Sequence, residues 1–150
     1  MTTTNDKNIA TVLHLSTLTQ YIIPFGNYIF PIVIWSSKKE SDFVDTNGKQ
    51  VLNFQLSMFL YSALLCLIAI PILLYTFFYN MPWEAIINDN DVILENFNFA
   101  NIGGIAVLGI TAGFLFGVLK VIEFVLIILA AVKASNGEQY KYPLSIPFFK

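Results

Sequence analysis

Apolar residues along this chain do not alternate with polar ones but run together in three long stretches. The second, 51–79, carries no charged side chain. The third, 102–132, carries only Lys120 and Glu123. The first, about 9–36, is interrupted. Its early part holds His14, Ser16, Thr17, Thr19 and Gln20, and its middle reads Ile23-Pro24-Phe25-Gly26-Asn27. Proline removes a backbone donor and glycine lets the chain leave the helix, so this stretch is predicted as half-helices over about 9–22 and 27–37. A helix crosses a bilayer with about 20 apolar residues. The predicted fold class is therefore all-α: an integral membrane helical bundle of about three spans, the first broken at Pro24-Asn27. It is expected to form a single membrane domain over 1–150, with an outer loop at 80–101 and a cytoplasmic tail at 133–150.

Lysine placement sets the expected orientation. Segment 36–50 holds Lys38, Lys39 and Lys49, and the tail holds Lys133, Lys141 and Lys150. Loop 80–101 has no lysine but carries Glu84, Asp89, Asp91 and Glu95. The lysine-bearing segments, including the C-terminal tail, are thus expected on the cytoplasmic side of a bacterial inner membrane. A first stretch that crosses places the N-terminus outside, whereas a re-entrant hairpin places it inside. Crossing is the expectation, because the second half-helix is too short to span unaided.

Composition sharpens the picture. Hydrophobic residues make up 56% and charged residues 12% of the chain, against about 45–50% and 25% in soluble domains. The mean hydropathy is +0.66. The net charge of −2, with every basic residue a lysine, excludes the dense cationic face of a nucleic-acid binder. Cys66 lies in an apolar run and is expected to be a buried, inert thiol. One histidine and one cysteine give no metal-ligand spacing, and the acidic loop 80–101 fits no EF-hand. No cofactor is implied.

Motifs in order along the chain resemble a known family. Pro24-Phe25-Gly26-Asn27 is followed by Asp45-Thr46-Asn47-Gly48-Lys49, then Asn53-Phe54-Gln55. Asn136-Gly137 and Tyr142-Pro143 come near the end. The pattern resembles the bacterial Tic-twenty-like membrane proteins, a domain of unknown function related to a subunit of the chloroplast inner-envelope import translocon. That resemblance implies a helical membrane fold and no enzymatic activity, with a link to protein translocation by analogy. The long loop 80–101 and the charges Lys120 and Glu123 depart from the family pattern.

Other residues stand out on physical grounds. Gly109, Gly113 and Gly117 recur every four residues, lining one face of the third span where backbones can approach closely. Asn53, Ser57 and Tyr61 form a polar stripe at i, i+4 and i+8 on the second span. They suit interhelical hydrogen bonds or a polar path into the membrane. Lys120 and Glu123, one turn apart in an apolar helix, are costly there and mark either a self-neutralised pair or a site. Counting depth from the span midpoints places Asn27, Tyr61, Lys120 and Glu123 at one level, predicting a buried polar cluster. His14, alone on a partly polar half-helix, is expected to be a hydrogen-bonded structural residue. The tail from Glu138 to Lys150 is expected to lie extended on cytoplasmic headgroups.

No nucleophile with a His/Asp partner and no phosphate loop appears, so an enzyme is not expected. The expected function is a non-enzymatic subunit or accessory factor of a larger membrane assembly. The alternative is a small channel or carrier using the Lys/Glu cluster. Partners are the lipid bilayer and other membrane chains or further copies of this one.

Overall fold

The computed structural model describes residues 2–79 and 99–150, with only the backbone for 99–102 and 105. Every regular element among the described residues is helical: α1 (Thr4–Ser16), a 3-10 turn (Thr17–Tyr21), α2 (Gly26–Ser37), α3 (Asp42–Tyr79) and α4 (Phe99–Ser135). The expected outer loop lies outside the described residues except for 99–101, which belong to α4. The chain divides into two compact units, Met1–Tyr61 with Leu119–Lys150, and Ser62–Val118.

Each start and stop in the first unit has a local cause. Thr3 caps α1, its hydroxyl accepting from Asp6 N–H while the Asp6 side chain accepts from Thr3 N–H. The break at Pro24 falls where the sequence places it, and Phe25 turns the chain with a left-handed φ of 62°. Helix α3 begins at Asp42, ahead of the span expected from 51. Its polar first turns satisfy themselves: Thr46 and Asn47 side chains donate to the carbonyls of Asp42 and Phe43, each at 2.8 Å. Lys49 pairs with Asp45 at 2.7 Å.

Two helices, not three, are long and apolar enough to cross a membrane among the described residues, and the first stretch is not one of them. Ala10 of α1, Phe43 of α3 and Ala134 of α4 pack in one buried cluster. Leu13, Val44 and Val51 form another, with Ile9, Ile34 and Trp35 against it. A crossing would separate residue 10 from residue 43 by about 30 Å. Instead α1 and α2 form a helical hairpin whose two ends return to the start of α3. Its polar side chains find partners on α3 and α4: Gln20 on Glu123, and Asn27 and Tyr28 on Gln55.

The tail also departs from expectation. Gly137 closes α4 with φ 82°, and Glu138 N–H reaches back to Lys133 O at 3.0 Å. From there the chain enters the first unit rather than lying on headgroups. Tyr142 is buried and stacked on Phe54, ring centroids 4.0 Å apart. It joins Phe54, Met58, Ile127 and Ala130 in the largest core cluster. Pro143 and Leu144, the latter at φ 70°, turn the tail back on itself.

In the second unit, α3 and α4 expose apolar side chains such as Leu67, Tyr75, Ile110 and Phe114. Asp42–Tyr79 and Ala106–Ser135 are each long and apolar enough to cross a membrane, with mean hydropathy 2.4 and 2.6. Only 11% and 22% of their most apolar windows are buried inside the protein, whereas the core helix of a soluble domain buries its apolar face. Cys66, expected to be buried, is exposed on α3 among these apolar residues.

Candidate functional site

The first unit is built around buried polar side chains, placed by α1, α2, α3, α4 and the tail. His14, with no exposed surface, sits between two of them. Its Nε2 is 2.9 Å from Asn47 Oδ1 and its Nδ1 is 2.9 Å from Tyr142 Oη. Asn47 donates its amide to Phe43 O, so the oxygen it turns to His14 can only accept. The His14 proton therefore resides on Nε2, and Tyr142 donates to Nδ1. His14 is level with the polar first turns of α3, ahead of the apolar run. Burial pulls its pKa down to about 4, with the Asn47 hydrogen bond opposing. The same burial holds the Tyr142 hydroxyl well above the ordinary tyrosine range. The ring is thus a neutral, fully bonded connector.

Glu123 on α4 is 1% exposed and has both carboxylate oxygens engaged. Lys120 Nζ lies 2.7 Å from Oε2, and Gln20 of the 3-10 turn donates to Oε1 at 3.0 Å. Asn27, near the start of α2, donates to Gln55 Oε1 at 2.8 Å, and the Tyr28 hydroxyl donates to the Gln55 carbonyl at 3.2 Å. The residues expected at one depth therefore take these partners: Lys120 and Glu123 each other, Asn27 the Gln55 side chain, and Tyr61 the Leu144 carbonyl at 2.9 Å.

The stripe Asn53, Ser57, Tyr61 meets the tail. Tyr61 donates to Leu144 O, Ser57 Oγ accepts from Ile146 N–H at 2.8 Å, and Asn53 Oδ1 accepts from Phe148 and Phe149 N–H at 3.0 and 2.7 Å. One α-helical step of four residues rises about 6 Å. Two residues of extended chain rise about 6.6 Å. A polar side chain every fourth helix residue thus matches every second residue of an antiparallel tail. Sequence reasoning found the stripe but not this partner, because an extended tail with prolines has no periodicity to read.

A second constellation surrounds Trp35. Its indole N–H donates to Asp45 Oδ1 at 2.9 Å, Lys39 Nζ lies 5.0 Å above the ring, and Phe149 meets it edge-on. Gly48 lies beneath: a Cβ there would be 2.3 Å from Trp35 Cδ1. In the second unit, among the described residues, a Cβ on Gly109 would find Leu73 at 4.0 Å, and one on Gly113 or Gly117 would meet nothing within 4 Å. Among the described residues, no three His, Cys, Asp or Glu gather as metal ligands would.

No curated protein and no solved structure matches this chain. A family model does, over residues 5–149: that of the magnetosome magnetite crystal formation proteins, MamF/MmsF. This overturns the resemblance to the Tic-twenty-like family and the protein-transport role that came with it. The motif residues behind that resemblance serve the architecture: Asp45 and Gly48 seat Trp35, Asn53 binds the tail, Gln55 holds Asn27, and Lys7 reaches Asn136 O at 3.5 Å. Matched over nearly its whole length, the chain belongs to the MamF/MmsF family of magnetosome magnetite crystal formation proteins.

Proposed function

We propose that this chain is a non-enzymatic component of the magnetosome membrane that takes part in magnetite crystal formation as a member of a membrane protein assembly. The observation that carries this reading is the family match over 5–149. Two apolar helices that leave their surface uncovered suit a bilayer. The face at Gly113 and Gly117, which no described residue approaches within 4 Å of a built Cβ, suits association with another helix, from a second copy or another chain. Glu123 and Lys120 act in this reading as a structural pair, since both carboxylate oxygens already have partners within the chain.

Charge supports one orientation. All eight lysines fall in the unit formed by 1–61 and 119–150. By the positive-inside tendency we infer that the lysine-bearing segments, 36–50 and 133–150, face the cytoplasm. The test is expression in a magnetite-forming bacterium stripped of its own family members. A tagged chain that co-purifies with magnetosomes and changes crystal diameter supports the reading. A chain that stays elsewhere, or leaves crystal size and shape unaltered, overturns it.

A further inference from the structure

The α1–α2 hairpin presents an exposed apolar surface. Helix α2 buries Gly26, Asn27 and Pro31 and turns Ile29, Phe30, Ile32 and Val33 outward. The hairpin tip is more exposed still: Ile22 is 85% and Phe25 69% accessible. Contiguous apolar surface of this kind marks a membrane or a partner. Two features favour membrane. Trp35 and Lys39 stack at the open end of α2, an aromatic and a cation of the kind that settles at the headgroup level. From Trp35 to Gly26 the helix descends about 14 Å, which is about half of a 30 Å hydrocarbon core. The hairpin is also held firmly, by Gln20 to Glu123 and by Asn27 and Tyr28 to Gln55.

We propose that the α1–α2 hairpin is inserted in one leaflet only, with its tip near the bilayer midplane, and that it makes the protein favour membrane that is convex on that side. The inference rests on α3 and α4 crossing the bilayer but not on any role in magnetite formation. An element that enters and leaves from the same side adds cross-section to one leaflet and none to the other. The loaded leaflet has the larger area, so it becomes the outer one of a small vesicle. A hairpin anchored by three side-chain hydrogen bonds cannot relieve that mismatch by swinging aside.

The test uses the full chain in lipid vesicles without iron, which separates it from the crystal-formation reading. In a Cys66→Ser background, Ile22→Cys and Phe25→Cys carry a bimane label, and lipids brominated at different depths report its position. Strongest quenching by the deepest bromines is expected. Protein density per membrane area, read vesicle by vesicle, should rise several-fold as diameter falls. The variant Ile22→Asn/Phe25→Asn, changed at exposed positions, should keep its thermal stability and lose that dependence. Quenching confined to the headgroup level, density independent of diameter, or an unchanged preference in the polar-tip variant each overturns the proposal.

Discussion

Asn53 holds Phe149 by both of its backbone groups: its amide donates to the Phe149 carbonyl at 2.9 Å, and its oxygen accepts from the Phe149 N–H at 2.7 Å. A single side chain thus stands in for a neighbouring strand. Asn53→Ala removes these bonds and the one to Phe148. At about 1 kcal/mol each, the loss is about 2–4 kcal/mol, concentrated in the tail. Amide exchange at Ile146, Phe148 and Phe149 should accelerate well before the core of the first unit opens. Unchanged protection there would refute the pairing.

His14 makes stability depend on pH in a defined direction. Its folded pKa, about 4, lies below the unfolded value of 6.5. Between those values the unfolded chain binds the proton and the folded one does not. The contribution is therefore complete above pH 6.5 and is lost as pH falls toward 4. The full difference is about 3 kcal/mol. The melting midpoint in detergent should decline over that interval and level off below it, and His14→Gln should flatten the decline. A midpoint independent of pH in the parent chain would show that His14 is not buried as described.

The ion pair at Lys120 and Glu123 is asymmetric, with Glu123 buried and Lys120 about a third exposed. Lys120→Met leaves a buried carboxylate with Gln20 as its remaining bonded partner. Removing one member of a fully buried pair costs about 3–5 kcal/mol. Exposure on the lysine side lowers the expectation to about 1–3 kcal/mol. The double variant Lys120→Met/Glu123→Met should recover much of that loss in thermal stability. No recovery would mean that the carboxylate contributes beyond its partner.

Two glycines should respond in opposite ways. Gly48→Ala drives a methyl into the Trp35 ring and should cost about 1–3 kcal/mol, with a shift in tryptophan emission. A Cβ at Gly113 meets nothing within 4 Å among the described residues, so Gly113→Leu should leave the melting of the isolated protein as before. Its association with other chains or copies in mild detergent should fall. Intact assembly in Gly113→Leu would remove the glycine face from the functional account.

Local chemistry was legible in the sequence wherever one residue decides it. Pro24 announced the break, the apolar runs announced α3 and α4, and the spacing of Asn53, Ser57 and Tyr61 announced a polar face. The sequence left a hairpin and a crossing both open for the first stretch, because the hairpin packing depends on Ala10, Phe43 and Ala134 meeting across the chain. The partners of His14 were not legible, since Asn47 and Tyr142 lie 33 and 128 residues away. The start of α3 was missed because residues 42–50 are polar enough to read as a loop. Their helix is held by i, i+4 bonds that hydropathy does not register.

The pairing of α3 with the tail also imposes an order on biosynthesis. The side-chain oxygen of Asn53 meets Phe149 N–H across 96 residues of chain. At about 5–20 residues per second of translation, the polar stripe waits about 5–20 s for its partner after it is made. For that interval the nascent helix presents Asn53, Ser57 and Tyr61 to the insertion machinery without the strand that completes them. The first unit therefore cannot close until the tail has been made and has left the ribosome.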